Sequence, residues 1–263
     1  MSIDLDFSLV NHYYHISPKG AGQPLAEMPA TDFFNPETLI QMMHKAGHTV
    51  EALGLDLPAS FFGTSLCNLC STKLLFLAQS NVLIDLSLKN LLFQVEVHDD
   101  HAHLGYKIET LSYSEVPEVD SLSVIQKDWE RFISSEITPA VEAIASAASL
   151  KPSMIWLQFG GEMGMLRDFI QQNEKNEWVL AAFKQQFELL SELLSPALFN
   201  RKRNPFQHTN KYVDNPYQEG EQLVMRSSCC LYDQRKGGVK CFVCPRLKET
   251  EREEMKRHIQ TVH

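Results

Sequence analysis

The spacing of apolar residues along the chain predicts a mainly helical protein. A helix is expected to begin at Pro36, because Asn35 can cap it and apolar residues from Leu39 to Leu53 recur at helical intervals. Further helical patterns cover residues 65–79, 120–139, 152–172 and 177–194. The first 30 residues are rich in glycine and proline and are expected to form an irregular arm.

One stretch, "LLFQVEVHDDHAHLGYKI", alternates apolar and polar residues and predicts a β-hairpin. Asp99 and Asp100 lie at its midpoint and suit a two-residue turn. The polar face of this hairpin collects His98, His101, His103 and Glu96. This face is either simply solvated, or it binds a metal or the substrate, for which His101 and His103 are the candidates. The patterns together predict an α+β fold, predominantly helical, with a small antiparallel sheet and a C-terminal cysteine module.

Composition indicates a soluble protein with a real core. The chain has 263 residues, of which 44% are apolar, and its densest apolar run, Leu74–Ala78, is too short to span a membrane. No leader pattern is visible at the N-terminus, so we expect a cytoplasmic protein without a transmembrane segment. The net charge is −9, which argues against non-specific binding to nucleic acid.

The charge is unevenly distributed and suggests two regions. Residues 200–263 contain 13 Lys or Arg against 8 Asp or Glu, a net charge of +5, whereas residues 1–199 carry −14. We therefore predict a scaffold and substrate-binding region over 1–199 and a basic cysteine region over 200–263, packed as one unit.

Four of the six cysteines lie in "CCLYDQRKGGVKCFVC", with the spacing C-C-x10-C-x2-C. A disulfide between Cys229 and Cys230 would be strained, because neighbouring Cα atoms lie about 3.8 Å apart and disulfides need roughly 4.4–6.8 Å. The cytoplasm also keeps thiols reduced, so metal binding explains the cluster better. Cys241 and Cys244 form a two-thiolate hook, and a strand that ends near residues 227–228 would let both adjacent cysteines reach the same centre.

The spacing of the four cysteines is compatible with two kinds of metal centre, a zinc site and an iron–sulfur cluster. Structural zinc sites usually pair two C-x(2–4)-C hooks, and the adjacent cysteines fit that pattern poorly. An anionic iron–sulfur cluster suits the basic flanks, which include Arg226, Lys240 and Arg246. Pro245 is expected to open the C-terminal helix, which would place Cys244 at a helix N-terminus that favours thiolate.

The spacing C-C-x10-C-x2-C followed by Pro245 resembles the FhuF-like ferric siderophore reductases. The resemblance covers some 20 residues, with a similar length and helical character in the rest of the chain. It implies a [2Fe–2S] cluster on Cys229, Cys230, Cys241 and Cys244, and hence a C-terminal [2Fe–2S] module. It also implies one-electron reduction of iron(III) in a ferric siderophore, of hydroxamate type, with release of iron(II). No nucleotide-binding fingerprint is present, so a ferredoxin, a flavodoxin or a reductase is expected to supply electrons.

Two other functions remain open at this point. Zinc can tie down the C-terminal tail of a non-enzymatic binding module, or the cluster can serve as a redox or iron sensor. Arg201, Lys202 and Arg203, together with Arg226 and Arg246, are candidates for binding an anionic siderophore or an acidic donor.

Two further motifs are interpreted as structural. Cys67 and Cys70 form a second C-x2-C pattern, but in a stretch where both can lie on one buried helical face. "FGGEMG", residues 159–164, lies in a helical pattern and indicates tight helix packing in preference to a phosphate loop.

Overall fold

The computed structural model describes residues 3–98 and 101–262 and confirms a predominantly helical α+β fold. The helices are α1 Ser8–Tyr14, α2 Pro36–Thr49, α3 Asp56–Ser80, α4 Ser121–Phe132, α5 Thr138–Ala147, α6 Pro152–Asn173, α7 Glu177–Glu188 and α8 Glu249–Val262. The strands are β1 Ile16–Ser17, β2 Ala26–Pro29, β3 Val82–Ile84, β4 Leu91–His98, β5 His101–Ile108, β6 Tyr113–Glu115, β7 Lys211–Asp214 and β8 Gln222–Met225.

Helix α3 forms the centre of the core and packs against α2, α5, α6 and α7. It is apolar on nearly every side, and its apolar 18-residue window is 83% buried. Length and composition alone would let it cross a membrane, but this burial is that of a core helix in a soluble protein. The helix ends at Ser80, and the next residue, Asn81, takes the left-handed conformation common at helix C-termini.

The predicted start of α2 is confirmed. The Asn35 side chain accepts hydrogen bonds from the backbone N–H groups of Glu37 and Thr38, and Pro36 occupies the first turn. The helix ends at Thr49, however, and Leu53 lies beyond it with 71% of its surface exposed. The apolar pattern therefore overestimated the length of α2.

The helical pattern predicted over residues 120–139 is divided between two helices. A π-helical turn, Ile133–Ile137, joins α4 to α5, and Pro139 lies in the first turn of α5. A proline is tolerated there because the first N–H groups of a helix have no intrahelical acceptor.

The main sheet has the strand order β1-β5-β4-β2. Strands β4 and β5 form the predicted antiparallel hairpin, in which Val95 pairs with Leu104 and Val97 with Ala102. The prediction of an irregular N-terminal arm is wrong, because β1 pairs with β5 in parallel and β2 pairs with β4. The predicted turn at Asp99–Asp100 and the side chains of His98 and His101 lie outside the described part of the chain.

A buried ion pair joins α3 to α4. Lys73 Nζ lies 2.5 Å from Asp128 Oδ2, and the Lys73 side chain is only 3% exposed. Burial lowers the pKa of Lys73, and the carboxylate of Asp128 opposes that shift. Asp128 also accepts a hydrogen bond from Arg131 at 2.8 Å. Two buried charges are thus compensated inside the scaffold.

Candidate metal centre

The chain that carries the first cysteine pair is fixed to α6 by one serine. Strand β8 ends at Met225, and the Ser227 hydroxyl then donates to the Leu157 carbonyl at 2.6 Å and accepts from the Gly161 N–H at 2.9 Å. A Cβ atom at Gly161 would lie 2.5 Å from Ser227 Oγ, so glycine is required for this approach. The interpretation of "FGGEMG" as a packing motif is confirmed.

The loop between the two cysteine pairs lies against the N-terminal scaffold. The Ser60 hydroxyl on α3 donates to the Cys230 carbonyl at 2.8 Å. The Leu53 N–H donates to the Gln234 carbonyl at 3.1 Å, and the ring of Tyr232 stacks on Phe61. The cysteine loop is therefore held by both α3 and the α2–α3 connection.

A buried arginine on α8 fixes the C-x2-C turn. The Arg252 guanidinium donates to the carbonyls of Phe242, Cys244 and Leu247. The Cys244 N–H closes the turn by donating to the Cys241 carbonyl at 3.0 Å. Sequence reasoning missed Arg252, because no spacing or composition signal marks an arginine that turns back onto carbonyls earlier in the chain.

The predicted helix start at Pro245 is wrong. Helix α8 begins at Glu249, and the Arg252 hydrogen bonds hold residues 242–247 in a turn. Cys244 is therefore not at a helix N-terminus, and the helix dipole does not stabilise its thiolate. Positive side chains are the remaining source of favourable charge at the thiols.

All four clustered cysteines line one cavity of about 380 Å³, called here the cysteine cavity. Cys229 and Cys244 are buried, Cys230 is half-buried and Cys241 is exposed. Helices α3 and α6 supply the opposite wall, and the cavity lining also contains Phe61, Thr64, Gln158, Glu162, Arg226, Tyr232, Asp233, Val239 and Lys240. Across residues 3–98 and 101–262, no three His, Cys, Asp or Glu side chains converge closely enough to hold a single metal ion.

Two arginines lie beside different thiols of the cavity. Arg226 lines the cavity next to Cys241, and its guanidinium lies 3.4 Å from a carboxylate oxygen of Glu162 on α6. Arg246 Nη1 lies 3.8 Å from Cys229 Sγ. Arg226 and Arg246 were predicted as substrate-binding residues, and the structure places both guanidinium groups against the cysteines.

Further contacts hold the thiols in position. Cys229 Sγ accepts from the Leu231 N–H at 3.4 Å, and the thiol donates to Asp233 Oδ1 at 3.8 Å. Cys229 and Cys244 are buried in one small cluster with Leu231. The Arg226 N–H donates to the Val243 carbonyl at 3.1 Å, which joins the two cysteine hooks through the backbone.

Burial raises the pKa of Cys230, and it raises the pKa of Cys244 to about 11. Both thiols hold their protons at neutral pH in the metal-free chain. A metal that binds here must therefore displace protons. Burial also raises the pKa of Glu162, and the neighbouring Arg226 opposes that shift.

The other basic residues of the C-terminal region lie at several separate positions. Arg235 packs on the Tyr232 ring, and Lys236 lies 3.5 Å from Glu51 on the outer surface. Arg201, Lys202 and Arg203 line a separate cavity, which shares Ser227 with the chain that leads into the cysteines.

The histidine face of the hairpin is a separate feature. The His103 ring packs on His15, which lies 3.3 Å from a carboxylate oxygen of Glu96. Among the described residues, the lining of the cysteine cavity contains no histidine. His103 is therefore not at this site, and the side chain of His101 lies outside the described part.

Cys67 and Cys70 are fully buried on α3. The Cys67 thiol is 3.9 Å from the Phe159 carbonyl, and burial raises the pKa of both thiols. Neither residue lines the cysteine cavity. Their placement matches the interpretation as structural thiols.

Comparison with known protein families and with curated proteins finds nothing that matches this chain.

Proposed function

We propose that this protein is a ferric siderophore reductase that carries a [2Fe–2S] cluster on Cys229, Cys230, Cys241 and Cys244. The observation that supports it is the single cavity of about 380 Å³ that all four thiols line. The proposed reaction transfers one electron to siderophore-bound iron(III) and releases iron(II), which oxygen ligands hold less tightly. Hydroxamate siderophores are the proposed substrates, and a ferredoxin, a flavodoxin or a reductase is the proposed donor.

The residues at the cavity fit this cofactor. Four cysteine thiolates are the usual ligands of a [2Fe–2S] cluster, and a binuclear cluster divides them into two pairs. Its ligands therefore enclose more space than four ligands on one zinc ion. The arginines that contact Cys241 and Cys229 supply positive charge for an anionic group.

The protein's own residues stabilise the negative charge of the reduced cluster and leave one edge of the cysteine cavity accessible. Arg226 and Arg246 favour a more negative, reduced state, and Glu162 keeps Arg226 in place. The buried Cys229 and Cys244 face the scaffold, whereas the exposed Cys241 faces solvent. We propose that the substrate and the donor approach on the Cys241 side, because electron transfer requires close contact and no bond-making side chain.

Purification without oxygen tests the cofactor. We expect a red-brown protein with two irons and two sulfides per chain and visible absorption that dithionite bleaches. A colourless protein that contains one zinc would refute the proposal.

A second experiment tests the reaction. The reduced protein is mixed once with a ferric hydroxamate chelate, and iron(II) is trapped with a coloured chelator. We expect about one iron(II) per reduced cluster. A cluster that stays reduced in the presence of several chelates would identify a redox or iron sensor in place of a reductase.

A further inference from the structure

A second cavity lies beside the chain that leads into the cysteines. It has a volume of about 480 Å³, and we call it the basic pocket. Arg201, Lys202, Arg203 and His208 line it together with Ser227, and its lining contains no Asp or Glu among the described residues. A concentration of positive charge in one cavity is unexpected in a chain with a net charge of −9.

The loop that forms the basic pocket is rigidly anchored. Asn204 is buried, and its side-chain amide donates to the carbonyls of Leu190 at 2.8 Å and Leu194 at 3.2 Å. Phe206 is buried against Phe159 and Phe199 in the main core. These contacts fix the chain directly after the three neighbouring cations, of which Lys202 and Arg203 are exposed to solvent.

These cations are not neutralised by the protein. Within residues 3–98 and 101–262, no ion pair is formed by Arg201, Lys202 or Arg203. Like charges held at close range repel each other, and a bound anion relieves that repulsion. Arginine side chains in a cavity are also the preferred partners for planar carboxylates.

The positive surface is too narrow to match an extended acidic protein face. On the rim of the pocket, the Gln207 amide donates a hydrogen bond to the carboxylate of Glu192 at 2.8 Å. The Asn200 amide likewise donates to the carboxylate of Glu142 at 3.1 Å. These carboxylates limit the positive region to the cavity itself. A volume of about 480 Å³ lies within the range of small-molecule sites.

His208 adds a neutral polar group to the wall. Its Nε2 atom is buried without a hydrogen-bond partner among the described residues. Burial lowers the pKa of His208, and the positive charges of Lys211 and Arg167 lower it further. The imidazole is therefore neutral at pH 7, and an anion nearby would provide the opposite charge that this site lacks.

The basic pocket is connected to the cysteine cavity through Ser227. This residue lines the basic pocket, and it also lines a small depression that contains Gln158, Glu162 and Arg226 from the cysteine cavity. Ser227 precedes Cys229 by two residues. A ligand held in the basic pocket thus lies next to the chain that carries the proposed cluster.

We propose that the basic pocket binds free carboxylate groups of the ferric chelate, so that the preferred substrate is a carboxylate-bearing ferric siderophore. The substrate assignment rests on the proposed function, whereas the anion site rests on the pocket alone. Arg201, Lys202 and Arg203 are specificity-determining residues in this proposal.

Calorimetric titration of the purified full-length protein with citrate tests the anion site. The test variant is R201Q/K202Q/R203Q, and the matched control is K127Q/K175Q/K184Q, which removes the same charge from exposed lysines elsewhere. We expect citrate to bind to the natural protein and the control, and to bind about tenfold or more weakly to the test variant. No citrate binding by the natural protein, or equal binding by both variants, would overturn the proposal.

Reduction kinetics with two chelates test the substrate preference. The test variant should show a KM raised about tenfold for a carboxylate-bearing ferric hydroxamate and an unchanged KM for a neutral one. Equal changes for both chelates would overturn the proposal. So would a loss confined to the rate of reduction by a donor protein, because the loop would then bind that protein.

The citrate titration and the reduction experiments distinguish the anion site from the proposed reductase activity. A colourless protein that binds citrate through these residues would refute the reductase and retain the anion site. A coloured protein that reduces chelates but ignores citrate would refute the carboxylate site alone.

Discussion

At the scale of single residues, Arg226 connects the scaffold to the thiols. Its guanidinium lies 3.4 Å from Glu162 on α6, and it lines the cysteine cavity beside Cys241. Sequence analysis identified Arg226 only as one of several nearby positive charges. Its position depends on β8 ending at Met225 and on a carboxylate 64 residues earlier, and neither distance along the chain nor composition reveals that contact.

The substitution Arg226→Gln should lower the reduction potential of the proposed cluster by about 60 mV, equivalent to a tenfold change in the equilibrium constant. The reduced cluster is more negative, and in this variant it loses the positive charge of a neighbouring guanidinium. The shift is moderated because Glu162, left without its cation, takes up a proton more readily. Potentiometric titration followed by visible absorbance measures the change.

Arg257→Gln on the exposed face of α8 is the control for Arg226→Gln and should leave the potential unchanged. An Arg226→Gln variant with the natural potential would show that this contact does not tune the centre.

The six cysteines should divide into two groups. Cys241→Ser should abolish the normal visible spectrum, because Cys241 lines the cavity with the other three ligands. Cys67→Ser should retain it, because Cys67 is buried against the Phe159 carbonyl. Absorption spectra of the two purified variants decide the matter, and loss of the spectrum in Cys67→Ser would invalidate the proposed ligand set.

At the scale of elements, helix α6 positions the cysteine chain through its glycines. Cβ atoms at Gly160, Gly161 and Gly164 would lie 2.6 Å or less from His208, Ser227 and Asn210, respectively. The sequence indicated close packing at these glycines, because a phosphate loop does not fit an uninterrupted helical pattern. It did not identify the packing partner, since residues 205–227 contact α6 only in the folded chain.

Gly161→Ala should destabilise the protein by about 1–3 kcal/mol, because the added methyl group overlaps Ser227 Oγ and the Ser227 backbone. Alanine would otherwise favour an internal helical position by about 1 kcal/mol. Urea unfolding measures the difference. Gly22→Ala is the control, since nothing lies within 4 Å of a Cβ atom there, and a Gly161→Ala variant at least as stable as the natural protein would exclude the overlap.

The α3–α4 ion pair should respond asymmetrically to substitution. Asp128→Leu leaves the buried Lys73 ammonium without a counter-charge, although the Ile84 carbonyl at 3.4 Å and the rings of Trp129 and Phe132 remain nearby. The loss should cost about 3–5 kcal/mol. Lys73→Met should cost less, about 1–3 kcal/mol, because Arg131 still pairs with Asp128. Thermal or urea unfolding of both variants tests the order, and a larger loss for Lys73→Met would contradict this description.

At the scale of the whole molecule, the predicted regions 1–199 and 200–263 are packed together, and Phe206 of the second region belongs to the main core. Phe206 is buried against Phe159 and Phe199, and Asn204 is bonded to residues 190 and 194. The change in charge at residue 200 is real, but charge does not report burial. Long-range pairs such as Ala52 with Arg235 further join the cysteine loop to the scaffold.

Phe206→Ala should therefore destabilise both regions together, by about 3–5 kcal/mol. Unfolding of the metal-free protein can be followed by tryptophan fluorescence, which reports residues before 200, and by thiol labelling, which reports the four clustered cysteines in addition to Cys67 and Cys70. Both midpoints should fall by the same amount. Phe34→Ala, at a ring that is 48% exposed, is the control, and a shift in only one signal would indicate two independent units.

The cysteine cavity could be predicted from the sequence only in part. Spacing predicted the four cysteines as one group and Ser227–Ser228 as a break in the strand, because both follow from local backbone geometry. The walls of the cavity come from α3 and α6, and its cation, Arg226, is held by an ion pair with Glu162 across the fold. The expected helix start at Pro245 failed because Arg252, a residue of the helix itself, holds the preceding carbonyls in a turn.

The position of Arg252 has a consequence for the order of events during synthesis. The turn that contains Cys241 and Cys244 depends on hydrogen bonds from α8, which follows it in the chain. Because a polypeptide is made from its N-terminus, the scaffold can fold before this helix exists, but the turn cannot be fixed until the helix has been translated. Until α8 has been synthesised, the thiols of this turn are not fixed in place, and we expect any metal to be inserted only once α8 can close the site.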